Sequence, residues 1–273
     1  MAAKVITITS GKGGVGKTTA TANLGAFLSE LGKKVILVDG DIGLRNLDLV
    51  LGLENRVVYT LVDVLQGSCK LKQALVKDKR FKNLYLLPAA QNKDKDAVDS
   101  EAFNDLVIKM KPMADFIIID SPAGIERGFR NAISPADEVL IVTVPEVSAI
   151  RDADRIVGLL EANAKEKYSL IINRIRPKMV NKGEMLGVED IREILSIPII
   201  GIVPEDENII VSTNRGNPVI FSKGSKAGEA FRNIARRILG ENVPFLDLEE
   251  KQGLWAAIYS AISGFVSKGG AKR

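Results

Sequence analysis

Residues near the start of the chain have the types and the spacing that bind a phosphate. Gly11, Gly16, Lys17 and Thr18 match the pattern G-x-x-x-x-G-K-[ST], between a β-branched run and a helix-like run. Glycines let backbone N–H groups curl around phosphate oxygens, the lysine reaches the β- and γ-phosphates, and the hydroxyl ligates Mg²⁺. A glycine-rich turn that binds nothing is the alternative. We predict that a triphosphate is bound by the loop residues Gly11, Lys12, Gly13, Gly14, Val15, Gly16, Lys17, Thr18 and Thr19.

A second lysine, Lys12, follows the first glycine of this loop, and the simple motif does not require it. Its spacing is compatible with a second phosphate contact in its own subunit, or with a solvated side chain. The stretch 12–19 also resembles the deviant Walker A motif of the ParA/MinD family. The extra lysine of that motif reaches the nucleotide of a partner subunit across a dimer interface. The resemblance therefore implies a third role for Lys12, in trans.

Three aspartates follow short apolar runs that are typical of buried parallel strands. Asp39 ends one run and is followed by Asp41, and Asp120 ends another. Ligands of open α/β sheets collect at the carboxyl ends of the strands, which places these acids beside the phosphate loop. Asp39 and Asp41, beside a triphosphate, could hold Mg²⁺ or orient the attacking water, and Asp120 matches a Walker B acid. The candidate Mg²⁺ ligands are Asp39, Asp120 and the Thr18 hydroxyl. The alternatives are a capped turn after Asp39 and a chance acid at the end of the other strand.

Two further polar residues lie where later strands end. Asn173 follows the apolar run 168–172, and its amide can both donate to and accept from the edge of a base. It is a candidate for binding adenine, although it would suit a turn equally well. Asp206 follows the last clear core strand, at 198–204, again at a carboxyl end. We therefore add Asp206 to the candidate nucleotide-binding residues.

Composition limits the chemistry that the chain can perform. Its 273 residues are 46% hydrophobic, with a net charge of +4 and a pI near 9.0, and no concentrated basic block is present. Cys69 is the only cysteine and there is no histidine, which excludes an intrachain disulfide, a Cys/His zinc site and Ser–His or Cys–His catalysis. Mg²⁺ held by oxygen atoms is the metal that remains easy to bind.

The alternation of strand-like and helix-like runs predicts the fold class. It is an α/β protein with a mostly parallel, doubly wound sheet in three layers. The expected helices include residues 57–76 and 151–160, and a last core helix that Gly240 ends. The predicted organisation is an ATPase domain at 1–240, a linker at 241–250 and a C-terminal amphipathic helix with a basic tail at 251–273.

The C-terminal segment has apolar residues at helical spacing, and it includes the only tryptophan of the chain. Packing on the sheet and contact in a dimer are two explanations. The third is a helix that lies on a membrane surface. The position of the segment in the chain supports these explanations about equally. One such helix binds weakly, but two on a dimer gain effective concentration. The candidate membrane-binding residues are Leu254, Trp255, Ile258, Tyr259, Ile262 and Phe265.

Five more segments have distinctive sequence patterns, at 39–49, 56–59, 73–80, 120–126 and 204–206. With the loop, they resemble the cell-division branch of the ParA/MinD family of deviant Walker A ATPases, over essentially the whole chain. The resemblance implies a P-loop NTPase fold of the SIMIBI/MinD-like type, with ATP and Mg²⁺ as cofactors. It also implies a partner-stimulated ATPase in which Lys12 acts in trans, Lys17 binds the nucleotide of its own subunit and Asp41 orients the hydrolytic water.

The same resemblance implies a cellular role. A homodimer formed with ATP binds the membrane lipid surface and recruits a MinC-like division inhibitor. A MinE-like activator then stimulates hydrolysis and releases the dimer, so that the division septum is placed. The expected location is cytoplasmic and peripheral on the inner face of the cell membrane, or the plastid stroma and inner envelope. The implied partner-binding residues are Arg45, Arg151, Asp152 and Asp154, the last three of which are also explained by a solvated helix face.

Other functions of related ATPases agree less well with the sequence. A DNA-partitioning ATPase of the ParA type would bind duplex DNA in an ATP-dependent manner, but no basic stripe is evident. A scaffold for metal-cluster assembly, or an electron-transfer ATPase of the nitrogenase iron-protein type, needs several cysteines to hold its cluster. The single Cys69 argues against both. The early first strand also leaves no room for a cleaved signal peptide, and no apolar run approaches the roughly 18 residues that span a bilayer.

Overall fold

One eight-stranded sheet forms the centre of the protein, in a computed structural model that describes residues 2–91 and 98–248. The strands are β1 Lys4–Thr9, β2 Val35–Asp39, β3 Val76–Lys77, β4 Leu84–Leu87, β5 Phe116–Asp120, β6 Glu138–Thr143, β7 Tyr168–Ile175 and β8 Ile199–Pro204. Their order in the sheet is β3-β4-β2-β5-β1-β6-β7-β8. Every neighbouring pair is parallel except β3 and β4. The predicted mostly parallel, doubly wound sheet is confirmed.

Helices connect the strands. In the described residues they are α1 Lys17–Glu30, α2 Leu47–Val50, α3 Leu61–Leu65, α4 Leu71–Ala74, α5 Ser100–Met110, α6 Arg127–Ile133, α7 Val147–Ala162, α8 Pro177–Asn181, α9 Val188–Leu195, α10 Asn208–Asn214 and α11 Lys226–Ile238. Short 3₁₀ turns lie at Glu54–Arg56, Lys111–Met113 and Val219–Phe221. None of these helices is both long and apolar enough to cross a membrane.

The helix predicted at 57–76 is wrong, because the structure has two short helices there. A capping box of Thr60 and Asp63 starts α3, and Gly67 at φ 73° lies in the turn that separates it from α4. The spacing of apolar residues alone does not show where these short helices begin and end. The helix predicted at 151–160 is real, but α7 begins four residues earlier, at Val147.

Packing on both faces of the sheet gives the three layers. On one face, Leu37 packs in a cluster with Leu24 of α1 and Phe231 of α11. On the other face, Ile36 packs in a cluster with Phe103 of α5. Every residue of β2 and β5 is buried, which explains why both strands are continuous apolar runs up to their final aspartates.

The carboxyl ends of the central strands lie side by side at one edge of the sheet. Asp39 of β2 pairs in register with Asp120 of β5, and Asp120 pairs with Ile8 of β1. The glycine-rich loop begins just after β1. The fold therefore places this loop next to both aspartates, as the alternation of strands and helices predicts.

Candidate nucleotide-binding site

The glycine-rich loop leads directly into α1. Gly16 precedes this helix with φ 103°, a left-handed conformation that favours glycine. Gly11 is needed for another reason, since a Cβ there would lie 2.5 Å from the backbone oxygen of Asp152 in α7. The loop thus presents its backbone N–H groups, together with the positive end of α1, to one small volume, as phosphate binding requires.

Lys17 is the first residue of α1, and only 8% of it is exposed. Burial lowers the pKa of its ammonium group, although Asp120 and Asp41 act in the opposite direction. A buried cation of this kind is costly until an anion joins it. The side chain therefore fits the position of a phosphate-binding lysine.

Asp39 and Asp120 are buried carboxylates whose charge is poorly compensated. Burial and the neighbouring Asp120 raise the pKa of Asp39 to about 8, although the backbone N–H groups of Asp41 and Leu47 donate to it at 3.0 and 3.2 Å. Burial likewise raises the pKa of Asp120 to about 6, against hydrogen bonds from Thr18 and Thr21 and the charge of Lys17. Two such acids beside a threonine hydroxyl fit a divalent cation, which would neutralise both.

A complete metal site is not preassembled by side chains alone. Within residues 2–91 and 98–248 no group of three or more Asp, Glu, Cys or His residues is arranged to hold a metal ion. The candidate ligands are two carboxylates and the Thr18 hydroxyl, so phosphate oxygens and water would complete the shell. This is the usual mode of Mg²⁺ binding at a nucleotide.

Asp41 follows β2 by two residues and is half-buried. Its charge acts on Lys17, Asp39 and Asp120, so all four groups belong to one electrostatic cluster.

Lys12 contacts its own chain. Its Nζ lies 2.8 Å from Oε2 of Glu146 and 3.3 Å from Oγ of Ser148, at the start of α7. The side chains of Lys12 and Glu146 are 42% and 58% exposed, and an exposed ion pair of this kind contributes little to stability. Lys12 can therefore exchange Glu146 for a phosphate at low cost.

Asn173 and Asp206 both support loops. The buried Asn173 donates from Nδ2 to the carbonyl of Val15 at 2.7 Å, and its Oδ1 accepts from the backbone of Arg174. Asp206 accepts from the Ser225 hydroxyl at 2.6 Å and from backbone N–H groups at the starts of α10 and α11. Burial acts to raise the pKa of Asp206, but these hydrogen bonds outweigh it and lower the pKa.

The four partner-binding candidates fall into two groups. Arg151 and Asp154 are exposed on α7, whereas Asp152 is half-buried beside the glycine-rich loop. Arg45 is different, because its side chain is only 15% exposed and its Nε lies 2.7 Å from Oδ2 of the buried Asp48. Its φ of 40° is also unusual for a residue with a side chain. The membrane-binding candidates Leu254, Trp255, Ile258, Tyr259, Ile262 and Phe265 lie outside the described residues.

The sequence reasoning missed Glu146, Ser148 and Thr21 as neighbours of the site. The rule that ligands collect at the carboxyl ends of strands would also have identified Glu146, because this residue follows β6 by three residues at the same edge of the sheet. Thr21 is one helical turn after Lys17 and donates to Asp120 across 3.4 Å. Helical periodicity from the end of the loop would have identified it.

The chain is similar in sequence to known proteins. The model of the CobQ/CobB/MinD/ParA nucleotide binding domain matches residues 6–219. The septum site-determining protein MinD of Synechocystis is 60% identical over 245 residues, which is 89% of this chain and 92% of the relative.

Two solved structures are similar throughout. The structure of the MinC:MinD cell division protein complex of Aquifex aeolicus has a TM-score of 0.84 at 53% identity, over 90% of this chain and 99% of that one. The structure of MinD of Pyrococcus horikoshii, complexed with Mg-ADP, has a TM-score of 0.78 at 35% identity, over 86% of this chain and 96% of that one.

Proposed function

Since the chain belongs to the CobQ/CobB/MinD/ParA nucleotide-binding family, and within it to the septum site-determining MinD proteins, we propose that it is a Mg²⁺-dependent, partner-stimulated ATP hydrolase that places the division septum. The observation that carries the chemistry is the cluster of buried Lys17 and the raised-pKa carboxyls Asp39 and Asp120 beside the glycine-rich loop. Each of these groups is costly alone and becomes compensated when a metal–triphosphate complex is bound.

The residues divide the work of hydrolysis. The loop N–H groups and Lys17 hold the β- and γ-phosphates, while Thr18, Asp120 and Asp39 would hold Mg²⁺. Bound there, Mg²⁺ would neutralise negative charge on the phosphate oxygens. Asp41 orients the attacking water, and Asn173 keeps the loop in place through the carbonyl of Val15. Asp206 acts through the helix starts that it caps.

Lys12 makes hydrolysis depend on a second subunit. In one chain it pairs with Glu146 at an exposed position. In the ATP-bound homodimer it leaves Glu146 and reaches the nucleotide of the partner. A charge-assisted hydrogen bond to a buried phosphate is stronger than an ion pair with an exposed carboxylate. Dimerisation is thereby coupled to the presence of the γ-phosphate.

The dimer joins two C-terminal segments on one particle. Six apolar residues of segment 251–273 enter the membrane surface, and the protein is peripheral on its inner face. Two weak anchors on one dimer bind about 10²–10⁴-fold more tightly than one, so ATP controls attachment. A MinC-like inhibitor is recruited to the dimer, as in the complex from Aquifex aeolicus. A MinE-like activator then releases it, with Arg45, Arg151, Asp152 and Asp154 near the shared surface.

Sedimentation with vesicles tests this function. The full chain is mixed with vesicles of phosphatidylcholine and phosphatidylglycerol in the presence of Mg²⁺ and either ATP or ADP. We expect the protein to pellet with ATP and to stay in the supernatant with ADP. Equal pelleting with both nucleotides, or none with either, would contradict the nucleotide switch. Omission of Mg²⁺ is the matched control for the metal.

A further inference from the structure

One side chain makes three hydrogen bonds that hold the chain after α11 against the domain. Arg237 lies in the last turn of α11 and donates through all three of its nitrogens. Nε donates to the carbonyl of Val243 at 2.9 Å, and Nη2 donates to the carbonyl of Pro244 at 2.7 Å. Nη1 donates to the carbonyl of Ile200 in β8, at 2.9 Å. One guanidinium therefore joins the helix, the last strand of the sheet and the segment 241–246.

A ring contact and an apolar contact complete this attachment. The ring of Phe245 lies over the guanidinium of Arg237, 4.4 Å from its central carbon, which is within the range of a cation–π contact. Leu246 is partly buried and packs against the main hydrophobic cluster. A guanidinium can serve three carbonyls and a ring at once because it is planar and its donors are fixed as a fork. A lysine ammonium at the same position cannot span them.

The attachment also affects the edge of the sheet. β8 is an edge strand, and the carbonyl of Ile200 is one of its acceptors. Edge strands offer unpaired backbone groups to other chains unless something covers them. Arg237 satisfies one such group and brings segment 241–246 to the same place, although this segment contains neither a helix nor a strand.

We propose that Arg237 is a positioning residue, which anchors segment 241–246 at the edge of the sheet and so fixes the point from which the C-terminal segment 251–273 leaves the domain. The proposal rests on the membrane attachment described above. With the anchor in place, seven residues, 247–253, separate Leu246 from Leu254. Without it, thirteen residues, 241–253, separate Gly240 from Leu254. The effective concentration of the second membrane anchor then falls by about two- to threefold, since it decreases as roughly the −3/2 power of linker length.

The test compares Arg237→Lys with Arg192→Lys in the full chain. Arg192 is the matched control, because the same substitution there changes an exposed ion pair within α9, with Glu189 at 2.9 Å. Hydrogen exchange of segment 241–246 measures the anchor directly, without any membrane. Titration with phosphatidylcholine–phosphatidylglycerol vesicles, under ATP and under ADP, measures its consequence. Hydrolysis without vesicles and thermal unfolding show whether the nucleotide site and the fold are intact.

We expect Arg237→Lys to exchange faster in segment 241–246 and to bind vesicles about two- to threefold more weakly with ATP, with no change in ADP binding or basal hydrolysis. A second variant keeps Arg237 and receives a Gly/Ser insertion after Leu248, as long as segment 241–246, and it should lose the same affinity. Unchanged exchange in Arg237→Lys, or faster exchange with unchanged affinity, would overturn the inference. A wild-type chain that ignores vesicles would instead overturn the proposed function, and the positioning role with it.

Discussion

Asp39 and Asp120 are paired residues at the ends of neighbouring parallel strands, so two buried carboxyl groups lie side by side beside Lys17. Burial raises the pKa of both groups, and nearby like charges add to the effect: Asp120 and Asp41 act on Asp39, and Asp41 acts on Asp120. The charged forms of both groups are therefore unfavourable, and a bound metal–nucleotide complex would stabilise them.

The first prediction concerns pH. Both carboxyl groups have pKa values above the ordinary 3.8, near 8 for Asp39 and near 6 for Asp120. They are protonated in the folded protein at a pH where they ionise in the unfolded chain. The free energy of unfolding without nucleotide should therefore fall as pH rises from about 4 to about 8, by roughly 4 kcal/mol between pH 5 and 7.

Thermal unfolding across this pH range measures the effect. A change of that size lowers the melting temperature by about 8–16 °C. Asp39→Asn should flatten the dependence, because the amide does not titrate. A stability of the wild-type chain that rises over the same range would contradict the arrangement of charges described here.

Lys17→Ala should abolish nucleotide binding. The variant removes two charge-assisted hydrogen bonds to phosphate, of about 1.5–3 kcal/mol each, so affinity should fall by ~100-fold or more. Isothermal titration with Mg-ATP measures this loss. Lys72→Ala makes the same charge change at an exposed position of α4 and should bind normally. Near-normal affinity in Lys17→Ala would remove this lysine from the site.

Lys12→Ala should leave a chain that binds ATP but stays monomeric. Its side chain bonds to the exposed Glu146 and Ser148 at the start of α7, and an alanine keeps the backbone carbonyl that accepts from Ser10, so the loop should stay intact. Analytical ultracentrifugation with ATP distinguishes monomer from dimer. Glu146→Gln releases Lys12 without removing it and should still dimerise. Normal dimerisation of Lys12→Ala would exclude the role in trans.

Asp41→Ala should hold the ATP dimer on membranes. Loss of the group that orients water should slow turnover by about 10²-fold or more, while Lys17, Asp39 and Asp120 still bind the metal–nucleotide complex. Single-turnover hydrolysis and vesicle sedimentation measure the two effects separately. Rapid turnover in this variant would mean that another residue positions the water.

Asn173→Ala distinguishes two possible roles of the buried Asn173 side chain. If its main task is to hold the carbonyl of Val15, the variant should bind ATP and GTP about tenfold more weakly, because a buried carbonyl without a partner costs about 1–3 kcal/mol. If the amide reads the base, only the preference for ATP over GTP should change. Competition binding with both nucleotides measures the difference.

Much of the site could be predicted because its chemistry is local in sequence. The loop from Gly11 to Thr19 is one continuous motif, and Asp39 and Asp120 end apolar runs whose parallel pairing brings them together. The partnership of Lys12 with Glu146 could not, because 134 residues separate them and each is an ordinary surface residue by type. Asn173 was found, but its contact with Val15 depends on how β7 approaches the loop.

The contact between Gly11 and Asp152 links the nucleotide to the outside of the protein. No side chain fits between the loop and the backbone of α7, and the exposed Arg151 and Asp154 flank this contact on the same helix. Any molecule that pushes α7 inward from solvent pushes the phosphate cradle as well, with no intervening layer to absorb the movement. An activator of the proposed kind would thus alter hydrolysis without entering the pocket.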